Sequence, residues 1–381
     1  MTDLLRHYSD TLAALERDGL LRCLPDANAP ADLLDFSGND YLGLAHRPEL
    51  VEAAAEAGRR FGAGATGSRL LSGNTPLHEA FEARIARDKG ADAALVFSSG
   101  YQANAACIAA LLDKTVLGAE PLVLADRLNH ASMHLGCTLA GARQIRYRHL
   151  DLAHLEALLE KHAHDPRPRV ILSETVFGMD GDMADMAALQ ALALRFGALL
   201  YLDEAHATGV FGPRGYGLAE TIDLAPSTVV MGTFSKALGV SGGYVAASAL
   251  VRDYLVNKAG GFIFSTAPSP LVLGAALCAW ERLPGLGPQR AALLGRAERL
   301  RSALGQAGLD TGTSSTHIVP VILGDPERTV QARDALAAQG IRVSAVRPPT
   351  VPQGTSRLRL GLSATHTDQD LARLLEALRS L

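Results

Sequence analysis

The stretch "ALLYLDEAHATGVFG" (residues 198–212) sets an apolar run of strand length against two acids, Asp203 and Glu204, with His206 just beyond them. A carboxylate at the mouth of a buried strand is costly unless something cationic meets it. A structural salt bridge would meet that need, and so would a bound cation, a protonated ring or a substrate. Working outward, the same arrangement repeats. "ALVFSS" (94–99), "PLVLAD" (121–126), "RVILSE" (169–174), "STVVMGT" (227–233) and "GYVAAS" (243–248) are further short apolar runs. Patterns of helical period, such as "YQANAACIAALL", "LAHLEALLEKH" and "MAALQALALRF", lie between several of them. Apolar strands alternating with helices predict an α/β fold whose mostly parallel sheet is buried on both faces.

From about residue 285 the pattern changes. A long helix over 287–307, a strand over 317–323 and a helix over 326–339 lead to "IRVSAV" and "RLRLGLS", which predicts a smaller α+β domain. The expected division is an N-terminal helical or extended segment over 1–45, a large domain over 46–284 and a small one over 285–381. The chain has 381 residues, 48% hydrophobic and 20% charged, with a net charge of −4 of interspersed sign. That composition gives no basic face for nucleic acid or an anionic membrane. Cys23, Cys107, Cys137 and Cys278 are too widely spaced for a C-x-x-C pair or a zinc set, so no metal is expected and the thiols read as reduced, in a cytoplasmic protein. The N-terminus carries Asp3, Asp10 and Glu16 and has no signal-peptide core, and the run "SPLVLGAALCAW" is too short to span a bilayer.

Ligands of open parallel sheets bind beyond the carboxyl ends of the strands. At those ends stand Gly100 and Tyr101, where "VFSSGYQAN" turns into a helix whose free N–H groups suit an anion. His130 follows the strand of "LADRLNHASM"; a lone histidine there also suits a surface or helix-capping segment. Lys236, in "MGTFSKALGVSGGY" (231–244), lies among small residues just after a strand, with hydroxyls at Thr233 and Ser235. A partly desolvated lysine is a nucleophile toward carbonyls. A phosphate cradle, a carboxylate, two histidines and a reactive lysine together suit pyridoxal 5'-phosphate (PLP), with the small residues around Lys236 leaving room for its ring.

Two competing motifs fail on context. Gly62 to Gly67 fits G-x-G-x-x-G but follows a helical pattern, not a strand. Gly239 to Gly243 fits the hydrolase G-x-S-x-G around Ser241, yet a strand follows it and the acid and histidine precede it. A non-enzymatic binding protein would leave Asp203, His206 and Lys236 without a reason.

With these residues in place, the chain resembles the α-oxoamine synthases, PLP enzymes of the aspartate-aminotransferase-like fold (fold type I), nearest to their biotin-pathway branch. The likeness runs through "DFSGNDYLGLAHRPEL", "GSRLLSGNTPLHEAFE", "FSSGYQAN", "ADRLNHAS", "ETVFGMDGDMADM", "LDEAHATGVFGPRGYG", "TFSKALGVSGGY", "FSTAPSP" and "RPPTVPQGTSRLRLGLSATHT". The resemblance implies that Lys236 forms the imine with the cofactor. It implies that Asp203 pairs with the pyridine nitrogen, His206 bonds the ring oxygen and His130 stacks on the ring face. Gly100, Tyr101, Thr233 and Ser235 would hold the phosphate, helped by Ser265 of a neighbouring subunit's "FSTAPSP", which implies a homodimer with shared sites. Arg359 would grip the amino-acid carboxylate, with Asn39, Thr350 and Arg22 on the substrate side. Gly178 stands near the ring where the family usually carries a hydroxyl. The missing side chain removes one hydrogen bond of ~0.5–1.5 kcal/mol net, which His206 or water would replace. The implied reaction is decarboxylative condensation of L-alanine with a pimeloyl thioester, on CoA or a carrier protein, giving 8-amino-7-oxononanoate. Sister members join glycine or serine to other acyl-CoA substrates.

Overall fold

Apolar runs too short for helices become strands, and the computed structural model describes them within residues 3–24 and 33–380. In chain order they are β1 (Leu34–Asp35), β2 (Ala93–Phe97), β3 (Leu122–Asp126), β4 (Gln144–Tyr147), β5 (Arg169–Glu174), β6 (Ala198–Asp203), β7 (Thr228–Thr233), β8 (Gly243–Ala247), β9 (Ile318–Gly324), β10 (Ile341–Arg342), β11 (Ser344–Val346) and β12 (Ser356–Gly361). The chain divides into two units. One comprises Asn39–Phe177 and Asp182–Ala291; the other takes the described residues up to Gly38, Gly178–Gly181 and the chain from Ala292 onward.

The larger unit is built on one seven-stranded sheet in the order β2-β8-β7-β6-β5-β3-β4. β8 is antiparallel to both of its neighbours, and the remaining pairs are parallel. β2, β3, β7 and β8 are buried along their whole length, as strands covered on both faces must be. Leu95, Val123, Tyr201 and Met231 belong to one apolar cluster, while Leu124, Ile171, Leu200 and Val230 belong to a second. Neighbouring strand residues thus go to opposite faces, by the period of two.

The parallel strands β3, β5, β6 and β7 end on Asp126, Glu174, Asp203 and Thr233. Glu174 and Asp203 are direct register partners, so two carboxyl-bearing residues stand side by side where the apolar sheet stops. The next acid meets a different fate. Glu204 is fully buried and pairs with the equally buried Lys89, while its Oε1 accepts the Ala219 N–H at 2.7 Å. Asp203 is therefore the acid left at the strand end, and Glu204 is the structural salt bridge.

The smaller unit is α+β. Its antiparallel sheet runs β11-β12-β9, and the helices Pro326–Ala338 and Asp368–Arg379 accompany it. The expected boundaries shift in three places. The described residues up to Gly38 belong here rather than forming a separate segment, because β1 pairs in parallel with β10 and Phe36 O accepts the Gly361 N–H at 2.8 Å. Gly178–Gly181 belongs here too, since Ser315 and Thr316 both donate their N–H groups to Gly181 O. The C-terminal boundary falls at Ala292, inside the helix Gly287–Gln306, rather than at 285. Among the described residues no helix is long and apolar enough to cross a membrane.

At the base of the loop that leaves the larger unit between Phe177 and Asp182, His149 bridges two acids. Nδ1 stands 2.9 Å from Asp126 Oδ1, and Nε2 stands 3.1 Å from Asp182 Oδ2. Burial opposes charge on this ring, but the hydrogen bonds and charges of the two carboxylates outweigh it and raise the pKa to about 10. An unfolded histidine titrates near ~6.5. The stabilisation from charged His149 is therefore complete below ~6.5 and is lost as pH rises through about 10. The melting-temperature advantage of the native chain over His149→Gln should be largest near pH 6 and shrink steadily toward pH 10. An advantage that stays level or grows over that range would contradict the clamp.

Candidate active site

The end of β6 organises the site. Asp203 is 3% exposed, with Oδ1 accepting the Ala205 N–H at 2.8 Å and Oδ2 accepting Asn104 Nδ2 at 2.7 Å. Both donors are neutral, so they orient the carboxylate without cancelling its charge. Asn104 lies one turn into the helix Gly100–Leu111, which Ser99 caps by accepting the Gln102 N–H on its hydroxyl. The amide of Asn104 is fully engaged. Its Nδ2 also reaches Ser132 Oγ at 2.9 Å, and its Oδ1 accepts the Tyr201 hydroxyl at 2.9 Å.

His130 caps the helix Ala131–Leu139 with its own side chain. Nδ1 accepts the Ser132 N–H at 3.3 Å and lies 2.7 Å from Ser132 Oγ. The helix-capping role considered for a lone histidine is therefore real, and it holds the ring beside the other site residues. His130 is exposed as a residue, yet desolvation of its ring by the surrounding atoms keeps its pKa below the ordinary histidine value; the charges of Lys236 and His134 add to the effect and Asp203 opposes it. The ring of Tyr101 meets that of His130 edge-on, with centroids 6.2 Å apart. Glu174, buried beside Asp203, is pushed well above the ordinary carboxylate range by burial and then by the charge of Asp203.

Lys236 is half-buried in the turn between β7 and β8. Three backbone bonds tie that turn: Phe234 N to Gly242 O at 3.0 Å, Val240 N to Phe234 O at 2.9 Å and Gly239 N to Lys236 O at 2.9 Å. The small residues here have a reason other than room for a ring. A Cβ on Gly239 would stand 2.5 Å from the backbone nitrogen of Ala45, and one on Gly232 would stand 2.4 Å from the Tyr244 hydroxyl. The strand β8 that follows Ser241 removes the hydrolase elbow, and the helix Pro48–Phe61 ahead of Gly62 removes the dinucleotide fingerprint.

Thr233 Oγ1 lies 2.8 Å from Ser235 Oγ and donates to Gly242 O at 2.7 Å. Gly100, at the start of its helix, packs so closely that a Cβ would stand 3.2 Å from Thr233 Cβ. A helix N-terminus and two hydroxyls thus come together, which is the chemistry of a phosphate site. Ser265 shares a small cleft with Ser98 and Gln102 of the same helix start. His206 is 6% exposed, and its Nδ1 lies 2.7 Å from the Tyr41 hydroxyl, which donates to Asn39 Oδ1 at 2.9 Å. Asn39, expected on the substrate side, is thereby a partner in the support of His206.

The remaining expected residues lie in the smaller unit. Alternation in "RLRLGL" puts Arg357 and Arg359 on one side of β12 and Leu358 and Leu360 on the other. Arg359 Nε donates to Gly178 O at 2.5 Å, and Arg357 pairs with Asp180 at 2.6 Å. Gly178 therefore acts through its carbonyl. Arg22 Nη2 donates to Thr350 Oγ1 at 3.0 Å, which joins two residues expected together. Asn104, Ser132, Tyr41 and Glu174 belong to the site as well. Glu174 had a visible signal, a polar residue closing an apolar strand; the other three are recognisable only once their partners are in place.

The residues of the larger unit fit PLP. A buried carboxylate with neutral donors suits a protonated ring nitrogen, the glycine-started helix with its hydroxyls suits a phosphate, and a lysine suits an aldehyde. Among the described residues no group of His, Cys, Asp or Glu is arranged to hold a metal ion.

Comparison with known proteins agrees. The family model for aminotransferase class I and II matches residues 31–378. The 8-amino-7-oxononanoate synthase of Gluconacetobacter diazotrophicus is 50% identical over 378 residues, covering 98% of this chain and 93% of that one. A serine palmitoyltransferase variant from S. paucimobilis, solved with PLP–myriocin bound, superposes with a TM-score of 0.89 at 29% identity and covers 100% of this chain and 98% of its own. The 8-amino-7-oxononanoate synthase of Francisella tularensis superposes with a TM-score of 0.78 at 26% identity, over 92% of this chain and 98% of its own. The chain belongs to the aminotransferase class I and II family and, within it, to the α-oxoamine synthases, PLP-dependent acyltransferases of fold type I.

Proposed function

We propose that the protein condenses L-alanine with a pimeloyl thioester, on CoA or a carrier protein, to give 8-amino-7-oxononanoate, CO2 and the free thiol for biotin biosynthesis. The bond between alanine Cα and the thioester carbonyl carbon forms as the C–S bond breaks, and the original carboxylate then leaves as CO2. The observation that carries the reading is the meeting of Asp203 and His130, through Asn104 and Ser132, at the sheet edge where Lys236 also lies. PLP bound there supplies an electron sink for the pair left at Cα.

Lys236 Nζ is proposed as the covalent anchor and, once the substrate amine has displaced it, as the base that takes the Cα proton. Asp203 would keep a proton on the ring nitrogen by its charge, and His206, bonded to Tyr41, would meet the ring oxygen. Arg359 is assigned the amino-acid carboxylate, with Arg22, Asn39 and Thr350 as further substrate-side residues. Gly178 is assigned to the cofactor surroundings only through its backbone. The protein is proposed to act in the cytoplasm as a homodimer, in which Ser265 of one copy completes the phosphate site of the other.

A second reading has one observation behind it. The serine palmitoyltransferase superposes more closely than the Francisella synthase, with TM-scores of 0.89 and 0.78. Identity favours the first reading, with 29% to that protein against 50% to the Gluconacetobacter synthase across nearly the whole chain.

Two measurements test the proposal. L-Alanine, rather than glycine or L-serine, should perturb the visible absorption of the PLP-loaded protein. Addition of pimeloyl-CoA should then release thiol and a product of the mass of 8-amino-7-oxononanoate. A response confined to glycine or serine would replace the substrate assignment. Lys236→Ala should lower turnover by roughly a thousand-fold or more, since it removes the proposed base as well as the anchor. Turnover within ten-fold of the native rate would overturn the role of Lys236.

A further inference from the structure

The bonds between Asp203 and His130 have a direction. Asn104 Nδ2 has two protons, and its two acceptors are Asp203 Oδ2 at 2.7 Å and Ser132 Oγ at 2.9 Å. The reversed amide would press Oδ1 against the Asp203 carboxylate, acceptor to acceptor, and would set Nδ2 on the Tyr201 hydroxyl that now donates to it. Because Ser132 Oγ already accepts from Asn104, its own proton is available for His130 Nδ1 at 2.7 Å. The Ser132 backbone N–H points at the same nitrogen from 3.3 Å. Two donors aimed at Nδ1 leave no place for a proton on it, and the ring proton of neutral His130 must sit on Nε2. Asn104 is 1% exposed and Ser132 is fully buried, so the link between them is shielded from water, while His130 itself is exposed.

We infer that Asn104 and Ser132 are positioning residues whose hydrogen bonds fix His130 as the Nε2–H tautomer and so make Nε2 a donor in the active site. The inference rests on the reading that His130 faces the reacting groups. Its chemical consequence is that His130 gives a hydrogen bond, or a proton, to an oxygen gaining negative charge during condensation. A base at this position would need the opposite tautomer. Asp203, Lys236, His134 and the phenol of Tyr101 are charged or titratable groups that face the ring, and the Glu174 carboxyl accepts the His130 backbone N–H.

The test is nitrogen NMR of the PLP-loaded protein labelled with 15N-histidine, with the His130 signals identified by their loss in His130→Gln. In the native protein Nδ1 should show the shift of an unprotonated ring nitrogen and Nε2 that of a protonated one. Ser132→Ala should mix the tautomers and move the titration midpoint of His130 up by about one pH unit, since it removes a donor that favours the neutral ring. Ser132→Thr should restore both. The same Ser132→Ala change should lower kcat roughly five- to ten-fold while leaving the KM for L-alanine within two-fold. A proton on Nδ1 in the native protein would overturn the inference, even if the variants failed to fold. So would an unchanged tautomer and midpoint in folded Ser132→Ala. The NMR readout needs no substrate, so absence of turnover with L-alanine would count against the proposed reaction and leave this inference standing or falling by itself.

Discussion

The carboxylate of Asp203 is the constraint on which the site depends. It lies nearly buried at the end of an apolar strand, held by the Asn104 amide and the Ala205 backbone N–H. Burying a carboxylate is expensive unless its oxygens are hydrogen-bonded, and the surrounding polar groups are arranged around that cost. Asn104 spends one proton on Asp203 and the other on Ser132, which passes the order on to His130. Glu174, one strand away and in register, is driven toward its protonated form by burial and by that same charge. In the proposed function, Asp203 would hold a cofactor with a basic ring nitrogen and would keep that nitrogen protonated. Holding the cofactor and activating it would then be one interaction.

Consecutive acids on one strand end show how the fold divides structural from functional charge. Asp203 remains at the sheet edge, whereas Glu204 turns inward to Lys89, where both side chains are fully buried. Breaking such a pair by removing one partner costs about 3–5 kcal/mol, so Glu204 is a fixed part of the frame. His149 plays a similar part between Asp126 and Asp182, at the base of the loop whose carbonyl at Gly178 holds Arg359. These ion pairs belong to the frame and take no part in the proposed chemistry, while Asp203 and His130 themselves are held by hydrogen bonds to neutral groups.

Much of this was legible in the chain. β2, β3, β5, β6, β7 and β8 stand where short apolar runs stand, because strands covered on both faces need apolar side chains at every position. β4 was not legible: "QIRY" is half polar, as suits an edge strand with one neighbour. Neither was the pairing of β1 with β10, which is only two residues long and joins segments some three hundred positions apart. Lys236, Asp203 and His206 stood out by residue type and place. Asn104, Ser132 and Tyr41 did not, since a polar residue within a helix or loop takes its meaning from partners distant in sequence. The packing role of the glycines around Lys236 was not legible for the same reason. Their small size serves Ala45 and Tyr244, neither of which is adjacent in the chain.

The most direct measurement is borohydride reduction of the PLP-loaded protein followed by peptide mass mapping. The account predicts one phosphopyridoxyl group per chain, on the peptide that carries Lys236, and none after Lys236→Ala. A label on another lysine, or no label on a protein that has bound PLP, would contradict it.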